Sequence, residues 1–311
     1  MVIKKEFTFL SRNSIDNCHA CSWTPENGQV KAILQIVHGM LEYVERYEDF
    51  ANFMANQGFL VVGADLLGHG KTAATDKDLG YMTKNDASTV LVRDVHRLKK
   101  IIQEDNPGVP YFILGHSMGS FIMRKYLAMY CKGIDGAILV GSGNTHPAIS
   151  SFGITLTNFL KIFYGDRHKS PLVNKLAFGS YLKRIPDAKT SSDWLTRDEA
   201  VIKKYRANPL CTFKFSLNGY RALFRLVKYS YNTANFKNLS KDMSILIASG
   251  TQDPVGEYGK HPEQIYKQFN SLGIKDVTLK LYDGCRHEIL NELNKNEVYD
   301  DILGWLNARI K

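Results

Sequence analysis

No apolar run in this chain of 311 residues approaches the roughly 20 residues that a membrane-spanning helix needs. The stretch from Ile3 to Leu10 mixes charged and apolar side chains, so it lacks the apolar centre of a secretory signal and reads as a strand. Five cysteines, an odd number at scattered positions, make no disulfide framework and suit a reducing compartment. Cys18 and Cys21 form the only C-x-x-C pair; without a second pair zinc has too few ligands, and we expect no metal. Together these absences predict a cytoplasmic protein.

A phosphate-binding loop is missing as well. Residues 65 to 74, DLLGHGKTAA, end a strand-like run in Gly70-Lys71-Thr72, but the motif G-x-x-x-x-G-K-[ST] needs glycine at position 65. Asp65 stands there, and its carboxylate would repel a polyphosphate. Nor is there any recognisable nucleic-acid-binding module to take up the net charge of +9. That charge is local: residues 148 to 240 hold 16 Lys and Arg against 5 Asp and Glu, while the rest of the chain is slightly acidic. No nucleic-acid partner is expected.

What the chain does have is alternation. Apolar runs at Ala32 to Val37, Phe59 to Ala64, Tyr111 to Leu114 and Ala137 to Val140 read as buried strands. Helical patterns separate them at Tyr47 to Asn56, Ala87 to Glu104 and Met118 to Met129, which predicts βαβ units and a mostly parallel sheet. A hairpin, Ile3 to Leu10 and Asn17 to Trp23, precedes it. Residues 148 to 240 hold helical stretches and no convincing strand, and the pattern resumes with Ser244 to Ala248, a helix at Pro262 to Ser271, Val277 to Tyr282 and a last helix at Val298 to Ile310. We expect a core over 1–147 and 241–311 that carries a helical insertion over 148–240.

The sharpest local signal is YFILGHSMGSFIMRKYLAMY, in which a strand, Gly115-His116-Ser117-Met118-Gly119 and a helix follow directly on one another. This is the pattern of a nucleophile elbow, a turn so tight that glycine is required on both sides of the serine. Serine needs a general base, itself oriented by an acid, in the order Ser, Asp or Glu, His along such a sheet. Asp253 follows the strand ending at Ala248, and His287 follows the strand ending at Tyr282; both satisfy order and position. Asp283 is the rival acid, but it lies on the same short loop as His287 and reads as a turn residue. The backbone N–H of Met118, after the nucleophile, and that of Met40, after His38-Gly39 at the end of an earlier strand, are the candidate oxyanion donors.

Together HGMLEYVERY (38 to 47), ADLLGHGKT (64 to 72), GHSMG (115 to 119), SGTQDPV (249 to 255) and GCRHEILNE (284 to 292) resemble the α/β-hydrolase superfamily, in particular its monoacylglycerol lipase and lysophospholipase branch. The resemblance implies an α/β-hydrolase fold with a helical cap, a nucleophile at Ser117, an acid at Asp253, a base at His287 and oxyanion donors at Met40 and Met118. It also makes Asp65 to Thr72 a structural loop, and gives Glu42 and Arg46 a role in bracing the oxyanion loop. Leu41 and Tyr43 depart from the glycine and histidine that many members carry there. No cofactor is implied.

The implied reaction is acyl transfer from an ester of a single-chain lipid, with short-chain esters, thioesters and aminoacyl amides as alternatives on the same fold, and a non-catalytic binding module as a remote one. Serine at the elbow argues against epoxide hydrolase and dehalogenase chemistry. In the insertion, Phe152, Leu156, Phe159, Leu160 and Phe163 recur at helical spacing, as do Tyr220, Leu223, Phe224, Val227 and Tyr231. Arg221, Arg225 and Lys228 adjoin the second stripe, which suits contact with an anionic membrane surface or an anionic head group. Cys285, close to His287, makes thiol sensitivity an expectation to test.

Overall fold

The computed structural model describes residues 1–310. Strands β1 (Val2–Leu10), β2 (Asn17–Pro25), β3 (Ala32–Val37), β4 (Phe59–Ala64), β5 (Tyr111–His116), β6 (Gly136–Val140), β7 (Ser244–Gly250) and β8 (Asp276–Tyr282) form one sheet in the order β1-β2-β4-β3-β5-β6-β7-β8. β1 and β2 are antiparallel to their neighbours, and every other pairing is parallel. Helices α1 (Glu48–Asn56), α2 (Ala87–Asp105) and α3 (Met118–Tyr130) connect the first strands. Between β6 and β7 come α4 (Pro147–Tyr164), α5 (Pro171–Phe178), α6 (Glu199–Ala207), α7 (Pro209–Thr212) and α8 (Leu217–Tyr231), and then α9 (Lys260–Ser271) and α10 (Lys295–Asn307) complete the chain.

The continuous apolar runs are explained by burial on both faces of the sheet. Successive side chains of a strand point to opposite sides, so Ile33, Ile113 and Ile245 enter one core while Leu34, Phe112 and Leu246 enter the other. Leu98 of α2, Ile122 of α3, Leu226 of α8 and Phe269 of α9 cover the first face; Phe50 of α1 and Ile302 of α10 cover the second. Each such side chain stabilises the fold by about 1.5–3 kcal/mol relative to exposure. The result is a rigid platform whose strand ends present the loops described below.

Three details differ from the periodicity. β2 is buried along almost all its length, because it pairs with β4 as well as with β1 and is therefore internal. Its Cys18 and Cys21, three residues apart on an extended strand, enter opposite cores and cannot act as a ligand pair. α10 starts at Lys295, ahead of the apolar pattern, since its polar first turn precedes the buried face begun by Val298.

The segment between β6 and β7 contains helices and no strand among the described residues. α8 packs on α2 and α3 through one face and on α4 through the other. No helix of the described residues is long and apolar enough to cross a membrane.

Candidate active site

Ser117 sits between β5 and α3 with φ of 51° and ψ of −115°, a backbone conformation that a residue with a side chain adopts only where its surroundings enforce it. Its N–H donates to the Val140 carbonyl at 2.9 Å. The turn closes because its flanks are bare: a Cβ on Gly119 would stand 2.0 Å from the Val37 carbonyl oxygen, and one on Gly115 2.4 Å from that of Gly119. The sharp turn lifts Ser117 onto the wall of an apolar cavity of about 330 Å³.

His287 shares that wall. Its Nδ1 lies 3.0 Å from Asp253 Oδ1, and both residues are buried. Val255 N–H donates to the same oxygen at 2.8 Å, and the Ser249 hydroxyl donates to Oδ2 at 3.3 Å. Burial alone would raise the Asp253 carboxyl, but the charge and hydrogen bond of His287 and the Val255 N–H outweigh it and hold the group ionised below its ordinary range. With Nδ1 donating to the carboxylate, Nε2 keeps its lone pair, the arrangement a general base requires. Asp283 is exposed and accepts from the Thr251 hydroxyl at 3.0 Å, as a turn residue would.

The loop after β3 approaches the serine closely, since a Cβ on Gly39 would stand 3.0 Å from that of Ser117. The N–H groups of Met40 and Met118 find no acceptor among the described residues. Glu42 fixes this loop. One of its oxygens accepts from Gly39 N–H, from the Tyr47 hydroxyl at 2.9 Å and from His116 Nδ1 at 2.8 Å, and the other accepts from Arg46 at 3.1 Å. Arg46 in turn grips Glu288 with two bonds of 2.8 and 2.7 Å. Burial opposes every charge in this cluster, yet the Glu42 carboxylate is driven well below its ordinary range by His116 and Arg46, and His116 is driven above 6.5 by Glu42. It is a buried network of carboxylates and cations immediately behind the serine and the histidine.

Sequence reasoning brought together Ser117, Asp253, His287, Met40 and Met118, and the structure places all five around one cavity or its supporting loops. It missed Glu288, whose partner Arg46 is 242 positions away, and it missed the contact of His116 with Glu42. It also missed Trp194. The Trp194 ring lies 5.0 Å from the His287 ring, and residues 193–196 are fastened to the loop that carries His287: Glu288 N–H donates to the Leu195 carbonyl at 2.7 Å, and Arg286 donates to that of Asp193 at 2.6 Å. No local pattern in DWLT signals this, because the contact is made only once the insert folds back.

The cavity continues between α4, α5 and α8, where Leu156, Val173, Leu223, Phe224 and Val227 line it. The apolar stripe of α8 therefore faces inward. Of the three basic residues beside it, Arg221 is buried against Asp166, Arg225 lies 3.8 Å from Asp86, and only Lys228 is both exposed and without an ion-pair partner. The exposed apolar side chains lie on α4, with Phe159, Ile162 and Phe163, and on α5, with Leu172 and Leu176.

The GHGKT loop spends its amides on the protein itself. The Asp65 carboxylate accepts Lys71 N–H and Val44 N–H, both at 2.8 Å, and lies where a Cβ on Gly70 would go. The three groups that come nearest to a metal-ligand cluster are Glu6, His19 and Cys21. His19 is already held by Asp65 at 3.0 Å and Glu6 at 2.9 Å, and Lys71 occupies Glu6 at 2.8 Å. An ion-pair network fits these residues better than a metal does.

A family model described as serine aminopeptidase, S33, matches residues 28–294. The chain is 27% identical over 293 residues to a monoacylglycerol lipase of Mycolicibacterium smegmatis, covering 93% of this chain and 92% of that protein. It is 25% identical over 295 residues to the monoglyceride lipase of Homo sapiens, covering 93% and 86% respectively. Among solved structures, a thermostable carboxyl esterase from Bacillus coagulans, in complex with glycerol, superposes with a TM-score of 0.91 at 30% identity over the whole of both chains.

Proposed function

The chain belongs to the serine aminopeptidase S33 family of α/β-hydrolases, and on that premise we propose that it hydrolyses carboxylic esters of lipids with a single acyl chain. The observation that carries this reading is the His287–Asp253 pair on the wall of the same apolar cavity as Ser117, beside two N–H groups without acceptors. The names of the relatives, monoacylglycerol and monoglyceride lipases and a carboxyl esterase, support an ester as the substrate.

In this reading His287 Nε2 takes the Ser117 proton as Oγ attacks the ester carbonyl, and Asp253 stabilises the imidazolium that forms. The N–H groups of Met40 and Met118 stabilise the oxyanion, each such donor being worth roughly 3–4 kcal/mol in related chemistry. His287 then protonates the departing alcohol. Water, deprotonated by the same imidazole, attacks the acyl-enzyme and releases the fatty acid.

Residues 148–240 act here as a cap that roofs the acyl chain with the inner faces of α4, α5 and α8. The exposed apolar side chains of α4, on an insert with a net positive charge, would rest against an anionic lipid surface while substrate enters. An aminoacyl amide is disfavoured: the carboxylates lining the cavity, Glu42 and Glu288, are already paired with His116 and Arg46, which leaves a substrate ammonium without a partner. The test is fatty-acid release from 1-monoacylglycerol, with Ser117→Ala as control. Release abolished by the substitution supports the reading, and release that survives it, or none from the wild type, refutes it.

A further inference from the structure

A second chamber, of about 520 Å³, opens beside the acyl cavity and shares with it Thr145, Ile149, Tyr181, Pro254 and His261. It lies between the start of α4, the turn after α5 and the loop that runs from Asp253 into α9. It is more polar than the acyl cavity. Lys183, Arg184 and Lys260 stand around it with Glu257 as the only carboxylate, and Lys183 is exposed without an ion-pair partner. In the acyl cavity itself the two carboxylates are buried and paired, so this chamber is where a ligand reaching past the rim meets net positive charge.

The wall of the chamber is also strained. Glu257, Tyr258 and Gly259 are consecutive left-handed residues with φ of 47°, 58° and 96°. Two of them carry side chains, and such runs persist only where the surroundings impose them, often at ligand clamps. Here Tyr258 N–H donates to the Asp253 carbonyl and His261 N–H to that of Gly256, both at 2.9 Å. The loop thereby holds the Tyr258 ring under the Arg184 guanidinium, 4.5 Å away, and keeps that cation at the rim. His261 Nδ1 donates to the Val255 carbonyl at 2.9 Å, and its Nε2 faces Glu257 at 3.3 Å.

We propose that this chamber is a subsite for the anionic head group of the substrate, a phosphate ester carried on the glycerol whose acyl bond is cut at Ser117. The proposal rests on the ester-hydrolase reading and adds to it the alcohol half of the substrate. A phosphate bridged between Lys183 and Arg184 lies outside the apolar cavity while the acyl chain fills it, so one lysophospholipid spans both.

The experiment compares wild type with Lys183→Glu/Arg184→Glu, two exposed residues outside the triad and its loops. Hydrolysis of lysophosphatidylglycerol and of 1-monoacylglycerol of the same chain length is followed at low and high salt. We expect kcat/KM for the anionic substrate to fall about tenfold or more in the variant, with monoacylglycerol changed less than about twofold, and high salt to narrow the difference. Equal effects on both substrates overturn the subsite while leaving the esterase intact. Binding to Ser117→Ala, measured by calorimetry with a 1-O-alkyl-glycerol 3-phosphate and its neutral 1-O-alkyl-glycerol counterpart below their micellar concentrations, reports on the subsite independently of turnover. Preference for the phosphate form, lost on charge reversal, supports the proposal, and no preference overturns it. Glycerol 3-phosphate and inorganic phosphate are the remaining arms: either one binding as tightly as the ether lipid would make the chamber a site for a free phosphate and overturn its assignment to a lipid head group.

Discussion

His116, the residue immediately before the elbow serine, is joined through Nδ1 to Glu42 at 2.8 Å, and that same carboxylate oxygen holds Gly39 N–H in the loop opposite. One buried ion pair thus ties the turn that carries Ser117 to the loop that carries Met40. Its dependence on pH has a definite sign. His116 is raised above 6.5, so its contribution to stability is complete below that value and fades as pH climbs through the folded value. Glu42 is lowered from 4.5, so its contribution is present above that value and is lost as pH falls toward the folded one. The pair therefore stabilises most between about 4.5 and 6.5. Melting temperature against pH should decline on the alkaline side in the wild type, and His116→Gln should flatten that limb by a few degrees. An unchanged limb would show that the histidine is not charged in the fold.

Removing one partner of this network is more costly than retitrating it. Glu42→Ala leaves the buried His116 without its carboxylate and Arg46 with Glu288 alone, and a broken buried pair costs about 3–5 kcal/mol. Urea denaturation should show that loss, and Glu42→Gln, which keeps the shape and the hydrogen bonds in part, should lose less.

Asp253→Asn keeps the outline of the triad but presents an amide to His287 Nδ1. The imidazole then favours the wrong tautomer, with a loss of kcat of about 10⁴-fold in comparable sites and little change in KM. A steady-state comparison on monoacylglycerol checks this, and a variant within tenfold of wild type would remove Asp253 from the mechanism.

Val227 lines the far part of the cavity from α8, next to Leu223 and Phe224. Val227→Phe should shorten the space available to the acyl chain. We expect hydrolysis of long-chain esters to fall at least tenfold while short-chain esters change little, one methylene in such a pocket being worth about 1–3 kcal/mol. A uniform change across chain lengths would show that the acyl chain runs elsewhere.

Cys285 is fully buried, donates to Asn294 Oδ1 at 3.1 Å and has its thiol pushed up by burial. It should resist a thiol reagent in the native protein, with partly exposed Cys131 labelled first and activity preserved. Mass mapping after brief labelling distinguishes this from early modification at Cys285 with loss of activity, the sensitivity that its position near His287 suggests.

The strands were legible because a sheet buried on both faces leaves continuous apolar runs, as at Ile33 to Val37 and Phe112 to Leu114. The candidate site residues Ser117, Asp253 and His287 could be picked out because the elbow is local and each of the other two follows a recognisable strand. The charge cluster behind them was not, since Arg46 meets Glu288 only through the fold. The basic face of α8 misled for a related reason: Arg221 looks free in the sequence, but Asp166 meets it across a turn that periodicity does not reveal. Nor could the pattern show that the stripe of α8 turns inward while that of α4 is divided, with Leu156 lining the cavity and Phe159 and Phe163 exposed.

α8 has two allegiances, roofing the cavity with Phe224 and Val227 and packing Leu217, Tyr220 and Leu226 into the core beneath the sheet. It is also the helix through which the chain returns from the insert to β7. A cassette exchanged between related enzymes to transplant substrate preference should therefore run from α4 to α7 and leave α8 in place. A graft of the whole stretch from 148 to 240 would carry away the crossover that pairs β6 with β7, and would trade a change of specificity for a loss of the scaffold.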